Sequence, residues 1–227
     1  MSGKIAWNKA VLHTIEYATE NFANDMGFYP DSAPRYKLER NGKNNPSVTP
    51  DQGAHRLFES LFGLDYLGYQ RDHYYAFDSK LQIPIDNNGE KTNRWGPYVK
   101  REDLNIGTMQ DAHPEGVNFI SGNDNPVIMD MYFEPPRAVL YYKANWEGKI
   151  IRERYSYEDN AAITTDMTID GRSIHPHFDT PEEFYEYIRD PKTDQKAPRP
   201  YNADSFLLIM AGRDREYGTE DDITIFR

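Results

Sequence analysis

The amino-acid sequence predicts an α+β fold, with a long N-terminal helix packed on an antiparallel sheet. Three observations carry this. Residues 4–26 have helical periodicity throughout. The chain closes on two runs rich in strand-favouring residues, SFLLIMAG over 205–212 and ITIF over 223–226. Between these ends, helical and strand-like segments are segregated rather than alternating, which favours an antiparallel sheet over βαβ units.

Taking the elements in order, Ile5, Leu12, Ile15, Thr19, Phe22 and Met26 recur at spacings of mostly three and four, with Val11 and Ala18 widening the stripe. Lys9, Glu16 and Glu20 occupy the opposite face. Gly27 is placed to cap the helix and Pro30 to end any continuation. At 1.5 Å per residue the rod is roughly 35 Å long and needs a partner surface along its stripe. The polar stretch RYKLERNGKNNPSV over 35–48 reads as loop. A second helix is predicted with Thr49 as N-cap, Pro50 at the first helical position and Gln52 completing a capping box. It carries Leu57, Phe58, Leu61 and Phe62 and stops at Gly63.

Turn signals at 86–89 and 122–126 punctuate a less regular middle. AVLYYKAN over 138–145 predicts a strand, with EGK over 147–149 as the turn behind it. A third helix opens at Thr180 with a capping box to Glu183 and carries Phe184, Tyr187 and Ile188, and DPKTDQKAPRP over 190–200 reads as loop. The Tyr-rich runs DHYYAF over 72–77 and MDMYFEPP over 129–136 read as half-buried strands, and Trp95-Gly96-Pro97-Tyr98 as a structural anchor between a helix and the sheet.

Composition narrows function. A formal charge of −11 is contrary to nucleic-acid binding, which needs a basic stripe. Without cysteine there is neither a disulfide framework nor a thiolate zinc site. No stretch of about 18 apolar residues occurs in the sequence. No Ser-His-Asp arrangement, phosphate loop or HExxH signature is visible, so an enzyme is not expected. His175, His177 and Asp179 alternate in HPHFD and would share one face if extended, the start of a transition-metal site. Pro176 and the helix start at Thr180 instead favour a loop there.

The densest cluster is AGRDREYGTEDDITIFR, where Asp214, Glu216, Glu220, Asp221 and Asp222 sit in a short connection pinned between two strands. Like charges held together are unfavourable unless water screens them or a cation neutralises them. Arg213, Arg215 and Tyr217 break EF-hand spacing. A solvated acidic hairpin is the plain alternative to a cation site.

The succession NDMGFYP (24–30), PDQGAHRLFESL (50–61), WGPYV (95–99), AVLYYKAN and SFLLIMAGRDREYGTEDDI (205–223) resembles the G-type major pseudopilin of type II secretion systems, within the type IV pilin superfamily. The resemblance covers about half of the chain. It implies a single periplasmic domain over 1–227: a helix stub at 4–26, an enlarged insertion region at 101–200, and C-terminal strands with the acidic loop at 205–227. It also implies a calcium-stabilised filament subunit whose partners are other copies, minor pseudopilins and the secretion platform of the inner membrane. The matching positions make Asp214, Asp221 and Asp222 the calcium ligands, with the Ala211 and Tyr217 carbonyls as further candidates and Gly218 supplying the turn. The family's apolar N-terminal anchor and leader have no counterpart here, so the chain is read as the periplasmic part alone. An extracytoplasmic binding or enzymatic module built on the central region is the other expectation.

Overall fold

The computed structural model describes residues 2–35, 49–69, 76–78, 83–85, 94–114, 125–165, 168–169 and 172–227. The helices are α1 (Ser2–Met26), α2 (Gly53–Phe62), α3 (Met109–Ala112), α4 (Ile151–Arg154), α5 (Ala161–Thr164) and α6 (Pro181–Tyr187). The strands are β1 (Ala76–Asp78), β2 (Ile83–Ile85), β3 (Asn105–Thr108), β4 (Pro126–Met129), β5 (Leu140–Lys143), β6 (Thr168–Ile169), β7 (Arg172–Ser173), β8 (Phe206–Met210) and β9 (Ile223–Thr224). The architecture is α+β, and every strand pair is antiparallel. Among the described residues no helix is long and apolar enough to cross a membrane.

The central sheet has the order β5-β8-β9, with Leu140 opposite Ile209, Lys143 opposite Phe206, and Met210 opposite Ile223. Side chains alternate across it, as strand geometry requires. Tyr141, Phe206, Leu208, Met210 and Ile223 join a core cluster with α1 and α2, through residues such as Leu12, Ile15, Phe22, Phe58 and Leu61. Leu140, Tyr142, Leu207 and Ile209 face the other way and pack with Tyr155, Ile163, Phe178, Phe184 and Ile188. All five residues of β8 are therefore buried. The 101–200 stretch supplies β5 and most of the layer over this second face, so it is built into the core.

The predicted stripe of α1 is buried along its middle, from Val11 to Phe22, whereas Ile5 stays 36% exposed near its start. The loop after α1 is clamped to the sheet: the Tyr141 hydroxyl donates to the Pro30 carbonyl at 2.8 Å, and the Tyr29 ring packs on Phe206. The WGPY segment is an anchor, because the Tyr98 N–H donates to the Leu61 carbonyl at 2.9 Å while its ring meets Phe22 edge-on.

Three local expectations are corrected. The N-cap of α2 is Gln52 rather than Thr49, and its box is closed by His55, whose Nδ1 accepts from the Gln52 N–H at 2.9 Å. Of ITIF only Ile223 and Thr224 pair as strand. In MDMYFEPP, Met129 ends β4, but 131–135 is a run of bends, because Asp130 turns inward and gathers the N–H groups of Phe133 and Arg137. In DHYYAF, β1 covers Ala76 and Phe77, and the residues before it lie outside the described set, as do 36–48, 86–89 and 122–124.

Gly53 shows why the second helix begins as it does. The side chain of Asn160 bridges α2 to β5, accepting from the Ala54 N–H at 3.1 Å and donating to the Tyr141 carbonyl at 2.8 Å. A Cβ on Gly53 would collide with that same carbonyl and approach Asn160 Nδ2 to 3.0 Å. Gly53→Ala should therefore destabilise the protein by about 1–3 kcal/mol through overpacking against backbone. Urea denaturation checks this, and an unchanged midpoint would mean that α2 shifts freely on the sheet.

Candidate functional site

The acidic connection between β8 and β9 is solvent-exposed along its outer edge but anchored at its middle. Its middle is plugged into the domain by Arg215 and Tyr217, which are buried, while Arg213, Asp214, Glu220 and Asp221 remain exposed. Arg215 takes a left-handed backbone conformation (φ 69°) that turns its side chain inward. Its guanidinium donates to Asp130 Oδ2 at 2.8 Å, to the Pro135 carbonyl at 2.7 Å and to the Gly212 carbonyl at 3.2 Å. Arg137 reinforces the turn by donating to the Arg215 carbonyl at 3.1 Å. The Tyr217 hydroxyl donates to the Ala138 carbonyl, and its N–H donates to His175 Nδ1 at 3.3 Å.

With these plugs in place, Asp222 takes a donor of its own, while Asp221 stays within hydrogen-bonding reach of Asp214. Asp214 accepts from the Glu216 N–H at 3.0 Å. Asp221 folds back against Gly212, where a Cβ would strike its carboxyl group, and accepts from the Arg213 N–H and the Thr219 hydroxyl, both at 2.7 Å. Asp222 accepts from the Gly218 N–H at 2.8 Å. Gly218 itself has φ 90°, and a side chain there would strike the Phe178 ring and the His177 carbonyl, so the predicted glycine turn is required.

Charge within the loop is divided unequally. Burial opposes ionisation of Asp221, but the Thr219 and Arg213 hydrogen bonds outweigh it and hold the carboxyl below its ordinary range. Burial pushes Asp222 up to about 7. The Tyr187 hydroxyl and the Gly218 N–H pull the other way, and the charges on Asp214 and Asp221 add to the rise. Asp222 Oδ1 is buried and completes no hydrogen bond of good geometry, and the nearby Tyr187 hydroxyl is equally unmatched. The loop thus places a buried carboxylate oxygen, with only the poorly aligned Tyr187 hydroxyl beside it, close to two other carboxylates. Among the described residues no group of three His, Cys, Asp or Glu is placed to hold a metal ion. The three aspartates are near enough to sense each other but are not gathered into one chelate. Ala211 and Tyr217 are both fully buried on the inner side of the loop.

HPHFD is a loop around a short 3₁₀ turn, Pro176–Phe178. His175 is fully buried, whereas the His177 side chain is 59% exposed and lies 3.9 Å from Glu216. The two imidazoles do not share a face, and Asp179 is exposed beside the Thr180 cap. His175 instead meets His113 edge-on, with ring centroids 5.7 Å apart. Both rings are held neutral. Burial brings His175 down to about 3, helped by Arg137 and Arg215, and burial with the neighbouring His175 takes His113 well below its usual value. Two arginines beside the pair disfavour a cation there.

The inward cluster of Asp130, Arg137, Arg215, His113 and His175 was not legible as a unit, because its members are scattered over a hundred residues. The one local signal is Arg215 and Tyr217 standing two apart among acids, the spacing of two side chains that share a face of extended chain. Compared with protein-family models, curated proteins and solved structures, the chain matches none of them.

Proposed function

We propose that this chain is the globular part of a structural subunit of a type II secretion pseudopilus or a related type IV pilus-like filament, stabilised by calcium in the loop 211–222. The observation that carries the reading is the placement of that loop. It joins β8 to β9, the strands against which α1 lays its buried stripe, so order in the loop is coupled to the helix that would pack in a filament. Trp7 and Tyr17, exposed on α1 at 60% and 70%, give that helix an aromatic edge for neighbouring copies. The periplasm, with anchoring to the inner membrane by an apolar helix, is the location this reading implies.

Asp214, Asp221 and Asp222 would hold the ion, and carbonyls such as those of Ala211 and Tyr217 would complete its shell. Calcium would offset two of the three carboxylate charges and give Asp222 Oδ1 a ligand. A cation that binds only the folded chain stabilises it by about 2.7 kcal/mol at a hundredfold excess over Kd. Chelator should lower the melting temperature and calcium restore it, with magnesium a poor substitute because it holds its waters in tight octahedral geometry. Because Asp222 has a folded pKa of about 7, calcium must displace its proton below that pH. Apparent affinity should then fall by up to about tenfold per pH unit on acidification from 7, and level off above it. Asp222→Asn should abolish both the calcium response and its pH dependence. A melting curve indifferent to chelator at pH 8 would refute the calcium reading.

A further inference from the structure

From the cavity bounded by α6, the start of α4 and the loop 190–199, we infer a second binding site, for a short carboxylate-rich peptide segment of a partner protein. The cavity is about 620 Å³, within the range of ligand sites. Five cations line it, Lys149, Arg152, Arg189, Lys196 and Arg199, against two acids, Glu182 and Glu186. That local excess of three positive charges stands in a chain whose formal charge is −11. The acids are already engaged, Glu182 by Arg152 at 2.8 Å and Glu186 by Arg189 at 3.3 Å. Among the described residues, Lys149, Lys196 and Arg199 make no ion pair, and all three are exposed. They are the charges left for a ligand.

The walls decide the class of anion. Ile150 is 55% exposed at the rim, and the Arg152 guanidinium sits 5.3 Å from the centre of the Tyr185 ring, with Pro198 on the loop side. A small inorganic anion would leave these apolar surfaces uncovered. A second cavity, of about 510 Å³, shares Glu186 and Arg189 and continues towards Tyr201 and Arg227, so the two form one groove along α6. A groove of cations interrupted by apolar patches suits an extended segment that alternates acids with aliphatic side chains. Long polyanions such as nucleic acids would be repelled by the rest of this acidic chain. None of these residues belongs to the acidic loop, so the site stands or falls independently of the calcium reading.

The test is fluorescence anisotropy of a labelled short peptide alternating glutamate and leucine, titrated with the full chain. Saturable binding that weakens with salt is expected. The double variant Lys196→Glu, Arg199→Glu should bind about tenfold or more weakly, with its melting temperature unchanged because both side chains are exposed. Ile150→Ser should weaken binding about fivefold with no change in charge. Equal binding by the charge-reversed variant overturns the site. So does equal affinity for a peptide alternating glutamate and glycine, which would reduce the groove to a nonspecific anion contact.

Discussion

Replacing Arg215 with alanine should destabilise the fold by about 3–5 kcal/mol, the usual loss when one partner of a buried ion pair is removed. Asp130 is fully buried, and burial already lifts its carboxyl above the ordinary range despite the opposing charge of Arg215. Without the guanidinium, Asp130 keeps only backbone donors, from Arg137 at 2.7 Å and Phe133 at 3.3 Å. The Pro135 carbonyl loses its guanidinium donor in the same step, and the Gly212 carbonyl is left with the Arg215 N–H at 3.4 Å. Calorimetry should show a melting temperature lower by roughly 10 °C, taking about 2–4 °C per kcal/mol for a domain of this size. Asp130→Asn with Arg215→Met should recover much of the loss, since a neutral pair removes the stranded charge. A loss below about 1 kcal/mol in Arg215→Ala would show that the loop is held by Tyr217 instead.

Asp159→Asn should act in the opposite direction, stabilising the protein by about 2–4 kcal/mol at pH 8 and hardly at all at pH 4. Asp159 is 5% exposed, and burial pushes it up to about 7, with the Ser32 hydroxyl opposing the rise and the Asp31 charge adding to it. Because the folded pKa exceeds the unfolded one, the folded state binds more protons between about 4 and 7. Stability is therefore lost as pH rises through that window, by up to about 1.4 kcal/mol per unit. Asparagine never ionises and keeps an oxygen to accept from Ser32, whose own Oγ also accepts from the Lys143 N–H at 2.9 Å. Chemical denaturation from pH 4 to 8 would show the gap between variant and wild type widening with pH, and a constant gap would contradict it. His113 and His175 work with the opposite sign. Their folded pKa values are depressed, so they destabilise as pH falls below about 6.5, and in the wild type the two effects offset each other over the same window.

What could be read from the amino-acid sequence was the local order. The period of α1 located the buried residues Leu12, Ile15 and Phe22 because a helix face is written in spacings of three and four. The Thr180–Glu183 box marked the start of α6 because both of its hydrogen bonds lie within one turn. AVLYYKAN and SFLLIMAG formed strands as expected, whereas the pairing of LYYK with FLLIM and the burial of β8 on both faces came from the structure. Only the tertiary structure decided which layer covers the second face, since the contacts of Phe178, Phe184 and Ile188 with Tyr142 and Leu207 join residues far apart in the chain. It also decided the loop. Composition shows five acids in nine residues, but Arg215 turns inward because Asp130, 85 positions earlier, waits buried for a cation. That choice sends Asp221 and Asp222 to different donors and leaves one oxygen unmatched. Burial and the direction of a side chain depend on neighbours that sequence spacing does not bring together. Periodicity therefore named the elements, while burial by long-range contacts, together with local hydrogen bonds, set the charges.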